Sequence, residues 1–337
     1  MYVAVDVGTS GIKAVAFEAN GEEARVVRRP IAVDRRRKAW AEQDMDACWA
    51  LVAEAVREIA DAVGEVEFVA ITAQGDGCWL VDDEGRAVRP AILWNDGRAA
   101  SYVGTWMRDG TMQRGFALNG SVSFPGLANA ILRWLAEHEP ETLARSRFAL
   151  TCGSWIFSKF TGRTLIEASD ASAPFLDLES GSYSDTLLGL YGLADCRAML
   201  APVARGADTV APLSEAAAAE TGLPAGTPVV LAPYDVVAAA LGAGARTVGD
   251  AVLVLGTTFL CGIITDRPQP AGAPSGTTVS LGFPGLYLRL FPTLAGMEVL
   301  EWAAGFLGRR GAPETVELAM TGRPGARGLH FLPYLSP

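Results

Sequence analysis

Apolar runs separated by polar turns open the chain and predict a set of neighbouring strands. Residues 1–7, 12–17 and 24–27 are rich in Val, Ala and Ile. Asn20-Gly21, between the second and third runs, is a strong hairpin signal because both residue types tolerate the positive φ angles of a tight turn. The pattern therefore predicts a mixed sheet that begins with strands paired antiparallel.

A helical period replaces the strand pattern after residue 44. Apolar residues recur three or four positions apart, at Ala47, Leu51, Ala55, Ile59 and Ala62. Asp44 is a typical N-cap and Gly64 a typical terminator, so a helix is expected between them. Further helices are predicted at residues 127–137, 154–160, 236–241 and 295–307.

Two buried strands are predicted to lead into polar loops. Residues 66–71 run into the loop 72–77, and residues 229–232 run into Pro233-Tyr234-Asp235. Open α/β sheets bind ligands at the carboxyl ends of their strands, so these loops are the first candidates for a binding site. The segment 201–227, rich in Ala, Pro and Gly, is interpreted as a surface connection.

A short motif occurs twice in the chain. An apolar strand ending in Gly-Thr-Ser/Thr is found at residues 5–11 and again at residues 253–258. Glycine lets the backbone turn tightly, and the exposed N–H and hydroxyl groups suit an anion such as phosphate. A single copy would be better explained as a hairpin with a polar tip. The duplication, with Asp6 and Lys13 beside the first copy, favours nucleotide chemistry.

The length of the chain exceeds that of a typical single core. It has 337 residues, and we predict two domains, at 1–243 and 244–337. Half of the residues are hydrophobic and a fifth are charged, which is typical of globular α/β proteins. The second domain would hold fewer than half as many residues as the first, so we expect it to be incomplete.

Charge and cysteine usage narrow the classes of partner. A formal net charge of −10 argues against binding to nucleic acid or to an anionic membrane. Five scattered cysteines and two histidines provide little material for a metal site or a Ser-His-Asp triad. The N-terminus does not resemble an export signal, and apolar runs fall short of the roughly 20 residues that span a bilayer. A cytoplasmic protein with a small-molecule partner is expected.

Five segments, taken together and in order, resemble one protein family. They are the loop 6–13, Trp40-Ala41-Glu42-Gln43, residues 90–98, Asp235 before an alanine-rich helix, and Leu255-Gly256-Thr257-Thr258. Their content and spacing are similar to those of the FGGY family of carbohydrate kinases. The combination of residues 40–43 with Trp94-Asn95-Asp96-Gly97-Arg98 distinguishes this family from the wider group of actin-like ATPases.

The resemblance implies both a fold and a division of labour. The fold would be α/β, with two RNase H-like domains of the actin, hexokinase and Hsp70 type, whose mixed sheets are flanked by helices around a cleft. Residues 1–243 would bind a sugar or polyol, and residues 244–337 would bind ATP with Mg²⁺. Family members continue beyond the segment that matches residues 332–336, so the ATP-binding domain is expected to be truncated in this sequence.

Asp235 is the candidate catalytic base. It follows a buried strand and opens a helix, and a carboxylate there can accept a proton from an attacking hydroxyl. Taken alone, Asp235 would be interpreted as an ordinary N-cap, but the matching aspartate of the family is the base. The resemblance also implies that Asp6 holds Mg²⁺ through water, whereas alone it would be interpreted as a residue that stabilises a turn.

Contacts with the phosphates of ATP are implied for both Gly-Thr motifs. The residues are Thr9, Ser10 and Lys13 in the first copy and Gly256, Thr257 and Thr258 in the second. For Lys13, a solvated position on a strand is the alternative.

Gln74-Gly75-Asp76-Gly77 is the candidate substrate loop. Xylulose kinases of the family usually have Gln-Met-His-Gly here and glycerol kinases Gln-Arg-Glu, so the acid at position 76 is a departure. The loop looks most similar to that of erythritol- and pentitol-type members. Asp76 can accept two hydroxyl hydrogen bonds, whose loss is costly enough to confer selectivity. Gly75 is expected to widen the pocket.

Four residues of the 94–98 segment are expected to line the same cleft as Gln74, Asp76 and Asp235. These are Trp94, whose ring would pack against the carbon chain of the substrate, Asn95, Asp96 and Arg98. Their alternative is a core tryptophan followed by a surface turn. Trp40 and Gln43 are expected to support the site without touching the ligand.

These residues lead to one hypothesis and two alternatives. The hypothesis is ATP-dependent phosphorylation of a terminal hydroxyl on a tetritol, pentitol or pentulose. The first alternative is a catalytically inactive sugar-binding or regulatory protein of the same fold, motivated by the short second domain. The second, a general actin-like ATPase or polyphosphate hydrolase, leaves the segments 74–77 and 94–98 unexplained. The oligomeric state is left open, a homodimer included.

Overall fold

The computed structural model describes residues 1–255, 259–268, 272–293, 296 and 298–331. Gly256, Thr257 and Thr258, for which phosphate contacts are predicted, lie outside the described residues. The strands are β1 (Tyr2–Val7), β2 (Gly11–Phe17), β3 (Glu23–Pro30), β4 (Glu42–Gln43), β5 (Phe68–Ala73), β6 (Trp79–Val81), β7 (Ala91–Ile92), β8 (Phe148–Leu150), β9 (Ile166–Glu167), β10 (Leu176–Asp177), β11 (Ser182–Tyr183), β12 (Val203–Ala204), β13 (Val210–Pro212), β14 (Pro228–Leu231), β15 (Ala251–Leu255), β16 (Phe259–Thr265), β17 (Thr277–Ser280) and β18 (Tyr287–Thr293). The helices are α1 (Met45–Ala62), α2 (Ala100–Arg108), α3 (Thr111–Asn119), α4 (Ala128–His138), α5 (Pro140–Ala144), α6 (Cys152–Thr161), α7 (Ala168–Ala171), α8 (Asp185–Leu190), α9 (Glu215–Thr221), α10 (Asp235–Gly242), α11 (Glu298–Leu307) and α12 (Ala312–Met320).

A six-stranded mixed sheet forms the centre of the larger part of the chain. Its order is β13-β14-β5-β1-β2-β3. The predicted antiparallel opening is confirmed, since β1 pairs antiparallel with β2, and β2 with β3. In contrast, β1, β5 and β14 run parallel to one another. Their carboxyl ends therefore meet at one edge of the sheet, and the loops that follow them converge there.

Helices α1 and α6 cover one face of this sheet side by side. The predicted N-cap of α1 is confirmed, because the Asp44 side chain accepts a hydrogen bond from the Ala47 N–H at 2.9 Å. The apolar stripe of α1 packs on β2 and β3, and α6 packs on β5 and β14. Trp49 of α1 meets Phe160 of α6 edge to face, with ring centroids 5.1 Å apart. Burial of this continuous apolar interface is the main stabilising term of the region.

The interpretation of residues 201–227 as a mere surface connection was wrong. This segment contains the edge strand β13 and the helix α9, which packs between α1 and α6. Ser214 caps α9 by accepting a hydrogen bond from the Ala217 N–H at 3.2 Å. Glu220 on α9 accepts a hydrogen bond from Trp49 Nε1 at 2.8 Å. The alanine-rich sequence carries a weak periodic signal, so these tertiary contacts decide the structure.

A second, antiparallel sheet follows, in the order β15-β16-β18-β17. Helix α10 packs on one face of it, and its buried Val237 and Ala240 belong to the same apolar cluster as Val252 and Ile264. On the other face Leu253 and Leu255 are exposed, at 59% and 68%. Period-2 alternation thus leaves one apolar face of this sheet uncovered by the described residues.

The hairpin formed by β17 and β18 is fastened to the part of the chain built on the first sheet. The Tyr287 hydroxyl donates to the carbonyl of Leu178 at 3.1 Å, and the Ser280 N–H donates to Ser172 Oγ at 2.9 Å. The buried Arg289 donates to the carbonyl of Gly120 at 2.5 Å. The two sheets are therefore joined by buried hydrogen bonds as well as by the chain itself.

Candidate active site

Three predicted site segments lie at the same edge of the first sheet. The turn after β1 carries Thr9 and Ser10, the loop after β5 carries Gln74 and Asp76, and Asp235 follows β14. The parallel pairing of these strands brings the segments together, although Thr9 and Asp235 are separated by 226 positions in the sequence. Convergence of polar loops at parallel strand ends is the arrangement expected of a binding cleft.

A hydrogen-bond network ties the first glycine-rich turn to the substrate loop. Thr9 Oγ1 donates to Gln74 Oε1 at 2.8 Å and accepts from Trp94 Nε1 at 2.9 Å. Gln74 Nε2 donates to Gln43 Oε1, and Gln43 Nε2 donates to the Thr9 carbonyl, each at 3.1 Å. The expected supporting role of Gln43 agrees with this geometry. The single hydroxyl proton of Thr9 is engaged inside the protein, so Thr9 fixes the turn before it can serve a ligand.

Asp6 and Ser10 are exposed, whereas Lys13, like Thr9, is half-buried. Asp6 lies opposite Lys13 in the β1–β2 register, which puts both side chains on one face of the sheet. Although Asp6 is accessible to solvent, desolvation by the surrounding protein raises the pKa of its carboxyl, and Lys13 partly opposes that rise. Lys13 Nζ also lies 3.5 Å from a carboxylate oxygen of Glu23. Asp6 and Ser10 thus offer oxygen atoms to the cleft.

Asp76 and Asp235 form an acidic pair in the cleft. Burial raises the pKa of Asp76 to about 7, and the charge of Asp235 adds to the rise. Burial likewise raises the pKa of Asp235 to about 7, and Asp6 adds to it while the Val236 N–H, 2.7 Å from Asp235 Oδ1, opposes it. Carboxyls with pKa values near neutrality can both hold and release a proton at physiological pH.

The interpretation of Asp235 as an ordinary N-cap does not agree with the geometry of α10. The helix begins at Asp235 itself, and the capping position is occupied by Tyr234, whose side chain makes no cap hydrogen bond. The Asp235 carboxylate accepts from the next residue's N–H instead of from the second or third N–H of the helix. Asp235 therefore does not have the helix-capping role that its sequence position first suggests.

Asp170 is a site residue that the sequence interpretation missed. Thr151 donates a hydrogen bond to one of its oxygens, while Oδ1 is buried without a partner among the described residues. Burial holds the pKa of Asp170 well above its usual range, with further contributions from Asp76, Glu167 and Asp235. Asp170 lies on the single-turn helix α7, which has no motif around it, so only the tertiary fold reveals this third carboxyl.

Asp76 and Asp170 line a small cavity behind the substrate loop. It measures about 30 Å³, and its other walls include Thr151, Pro174 and Phe175. A volume of this size holds about two water molecules when polar partners are present. The unpartnered oxygen of Asp170 supplies such a partner. Asp76 and Asp170 thus place carboxyl groups in the wall of a mostly apolar recess behind the substrate loop.

Gly75 does not widen the pocket, contrary to expectation. A β-carbon at this position would lie 2.3 Å from Cδ2 of Tyr234, closer than carbon atoms can approach. The Tyr234 ring therefore occupies the space that the missing side chain leaves. The sequence alone could not indicate this, because 159 positions separate the two residues.

Asp96 and Arg98 are enclosed in an ion-pair network, a departure from their predicted place on the cleft surface. Their side chains are 0% and 1% exposed. Asp96 accepts from the Ala41 N–H at 2.6 Å and from Arg98 Nε at 2.9 Å, and Arg98 also donates to Glu42 at 2.8 Å. The Trp40 ring covers the guanidinium of Arg98 at 3.7 Å. Arg98 Nη1 is buried without a partner among the described residues, but the other guanidinium nitrogens pair with Asp96 and Glu42, so these residues support the loop that carries Trp94.

Metal-ligand clusters and membrane-spanning helices are both absent from the described residues. Groups of three or more His, Cys, Asp and Glu side chains that could enclose a metal ion do not occur there. Within the same residues, helices are too short or too polar to cross a membrane. An ion bound in the cleft would therefore rely on one or two carboxylates, on water and on the ligand.

Comparison with known proteins identifies the fold and the family. The chain is 28% identical over 341 residues to a xylulose kinase of Escherichia coli K12, covering 100% of this chain and 69% of that protein. It is 30% identical to an erythritol kinase of Brucella abortus, covering 89% of this chain and 59% of that protein. The crystal structure of a xylulose kinase from Rhodospirillum rubrum superposes with a TM-score of 0.89 at 26% identity, covering 98% of this chain and 69% of that one.

The fold is thus that of the actin- and hexokinase-like phosphotransferases, as predicted. The model of the N-terminal domain of the FGGY carbohydrate kinases matches residues 1–242. The chain belongs to the FGGY family of carbohydrate kinases, whose members are ATP-dependent phosphotransferases.

Proposed function

We propose that the protein transfers the γ-phosphoryl group of ATP to a terminal hydroxyl of a small polyol or ketose, with Asp235 as the general base. The observation that carries this proposal is the position of Asp235. It stands at the convergence of three loops, beside Asp76 and Asp6, with a pKa of about 7. A base of this pKa is half ionised near neutral pH and can accept a proton as the hydroxyl attacks.

The substrate class is inferred from the acidic character of the cleft. Asp76 presents carboxylate oxygens that can accept hydrogen bonds from adjacent hydroxyls of a polyol. Because Asp76 is desolvated, each such bond contributes more to binding than it would in water. Asp76 has a φ of +57°, a strained conformation that aspartate tolerates and that functional sites often contain. The similarity to xylulose and erythritol kinases supports a substrate of four or five carbons.

Asp6 suits a hydrated magnesium ion. Its carboxylate is accessible at the end of β1, and it raises the pKa of Asp235 through its charge. A cation held there relieves the repulsion between the two carboxylates, and oxygen ligands with several retained waters are what Mg²⁺ prefers. When bound, the ion neutralises charge on the phosphates of ATP.

The division of the chain into a polyol-binding part (1–243) and an ATP-binding part (244–337) completes the proposal. In this proposal Ser10 and Lys13 contact the phosphates from the first part, with Thr9 fixing their turn, and Gly256, Thr257 and Thr258 are assigned the phosphate contacts of the second part. Asp235 accepts a hydrogen bond from the substrate hydroxyl and then removes its proton, while Asp76 orients the carbon chain. Water must leave the cleft before transfer, because it would compete as the acceptor.

Replacement of Asp235 by Asn tests this assignment. Formation of ADP from ATP would be measured with a panel of tetritols, pentitols, pentulose and hexitols, and binding of the same compounds by calorimetry. We expect the Asp235→Asn variant to retain polyol binding within about tenfold and to lose at least a hundredfold in turnover. Undiminished turnover in this variant would refute Asp235 as the base. A wild-type chain that binds polyols without turnover would instead favour a sugar-binding protein.

A further inference from the structure

The Tyr234 ring packs against the candidate substrate loop, in the space that a side chain at position 75 would need. Its Cδ2 and Cε2 atoms lie 2.3 and 2.9 Å from where a β-carbon of residue 75 would stand. Ring and loop are thus in direct contact, and glycine is required at position 75 for as long as the ring stays there. The pair Gly75–Tyr234 determines the shape of this wall.

The backbone of Tyr234 is held so that its ring cannot easily withdraw. Its N–H donates to Ser169 Oγ at 3.2 Å, and Ser169 in turn donates to the buried Glu167. Glu167 also accepts the Ser169 N–H at 2.7 Å. These bonds fix the Tyr234 backbone at the start of α10, and with it the point from which the ring extends. The wall is therefore part of the folded structure.

The phenol hydroxyl of Tyr234 is placed among carboxyls. After burial, the charges of Asp76, Asp235 and Asp170 are the largest influences that hold its pKa well above the usual value. The hydroxyl therefore stays protonated and keeps its hydrogen. In the described part of the chain no side chain accepts that hydrogen. It is a donor beside Asp76, Asp235 and Asp170, which are acceptors when ionised.

We propose that Tyr234 is a specificity-determining residue that limits the length of the substrate and donates a hydrogen bond to one of its hydroxyl groups. The inference rests on the proposed function and refines its substrate class. A polyol hydroxyl both donates and accepts, so three carboxylates alone would leave its oxygen without a donor. The ring supplies that donor and takes up the space that a sixth carbon would need. Tetritols, pentitols and pentuloses then fit, whereas hexitols do not.

The experiment compares two variants with the wild type by calorimetry and by turnover, using a tetritol, a pentitol, a pentulose and a hexitol. Tyr234→Phe keeps the ring and removes the donor, so we expect weaker binding of the best substrate, roughly tenfold or more, and an unchanged preference for short chains. Tyr234→Ala opens the wall, so the ratio of hexitol to pentitol affinity is expected to rise at least tenfold.

A double-mutant cycle tests the wall itself. Gly75→Ala alone should weaken binding because the ring must move, and Gly75→Ala combined with Tyr234→Ala should recover most of that loss. Tyr102→Phe, which removes an exposed hydroxyl that donates to Glu137 on another part of the surface, should leave all affinities unchanged. Thermal unfolding of each variant verifies that it folds.

The outcomes separate the two proposals. Unchanged chain-length ratios in Tyr234→Ala, together with unchanged affinity in Tyr234→Phe, would overturn the role of Tyr234 while the kinase function stands. If the wild type binds polyols without turning them over, the proposed function fails and the affinity ratios still decide the inference. If the wild type binds none of the four compounds, both proposals fall.

Discussion

The hydroxyl of Thr9 donates a hydrogen bond to the side-chain oxygen of Gln74 at 2.8 Å, and so joins the turn after β1 to the loop after β5. The same hydroxyl accepts from Trp94, and Gln74 continues the network to Gln43. Both glutamines are almost fully buried, so these bonds form in a poorly solvated environment. The loop predicted to meet phosphate and the loop predicted to meet polyol therefore share one rigid support.

Replacement of Thr9 by Val should disturb both loops at once. The change removes one donor and one acceptor and leaves Gln74 and Trp94 unpaired, at a cost of about 1–3 kcal/mol in the free energy of unfolding. We expect the KM values for ATP and for polyol to rise together. Thr9→Ser, which keeps the hydroxyl, is the matched control and should remain close to wild type. A rise confined to ATP would argue that Thr9 acts as a phosphate ligand alone.

Activity should depend on pH through Asp235. A base with a pKa of about 7 loses its free carboxylate as pH falls, so kcat/KM is expected to drop about tenfold per pH unit below that value. A cation beside Asp6 favours the ionised form, so the corresponding pKa in the kcat profile should be lower. Initial rates between pH 5 and 9 measure both quantities. A kcat/KM profile that is flat down to pH 5 would contradict the buried-base assignment.

The free energy of unfolding should depend on pH because ionisation of Asp76 destabilises the folded state. Its pKa is about 7 in the folded state, against an ordinary value of 3.8, so the folded state binds a proton more tightly. The resulting penalty is absent at low pH, grows between pH 3.8 and about 7, and is constant above.

Asp76→Asn should therefore stabilise the protein, by roughly 2–4 kcal/mol at pH 8 and by less at pH 5, while weakening polyol binding. Urea unfolding at the two pH values measures the difference. Asp83→Asn, on the exposed turn after β6, serves as control and should show no such dependence on pH. An equal effect of Asp76→Asn at both pH values would mean that Asp76 is not buried as described.

Replacement of Arg98 should lower the stability of the fold more than it directly affects substrate binding. Removing it by Arg98→Ala leaves the fully buried Asp96 without its charged partner, which typically costs about 3–5 kcal/mol. The matched control is Arg36→Ala, which removes an 89% exposed arginine paired with Asp34 and should leave the free energy of unfolding nearly unchanged. Chemical unfolding compares the two. A stable Arg98→Ala variant with abolished polyol binding would restore Arg98 to the substrate-contacting residues.

The alternation and turn signals were sufficient for β1, β2, β3, β5 and β14 of the first sheet and for α1. Val3, Val5 and Val7 alternate inward as their pattern predicts, and Asp44 caps the helix because its short carboxylate reaches the free N–H groups. Such features depend on neighbours in sequence. Segments with weak periodicity, such as α9, required contacts with α1 and α6 that no local pattern encodes.

The candidate site followed the same rule. Gln74, Asp76 and Asp235 could be singled out because each follows a recognisable strand. Whether a polar residue faces the cleft or the interior could not be predicted, since Asp96 satisfies itself with the neighbouring Arg98. Asp170 and the Gly75–Tyr234 contact escaped notice because they arise where distant segments cross. Steric complementarity of that kind becomes visible only in three dimensions.

The fastening of the β17–β18 hairpin bears on where a movement of the second sheet would be largest. Strand β17 is held through Ser280 and β18 through Tyr287, whereas β15 forms the opposite border of the sheet. Three strand spacings separate the two borders, about 14 Å, so a rotation of about 10° about the fastened side would carry β15 through about 2 Å. Among the described strands of this sheet, β15, which ends at Leu255, would therefore undergo the largest displacement.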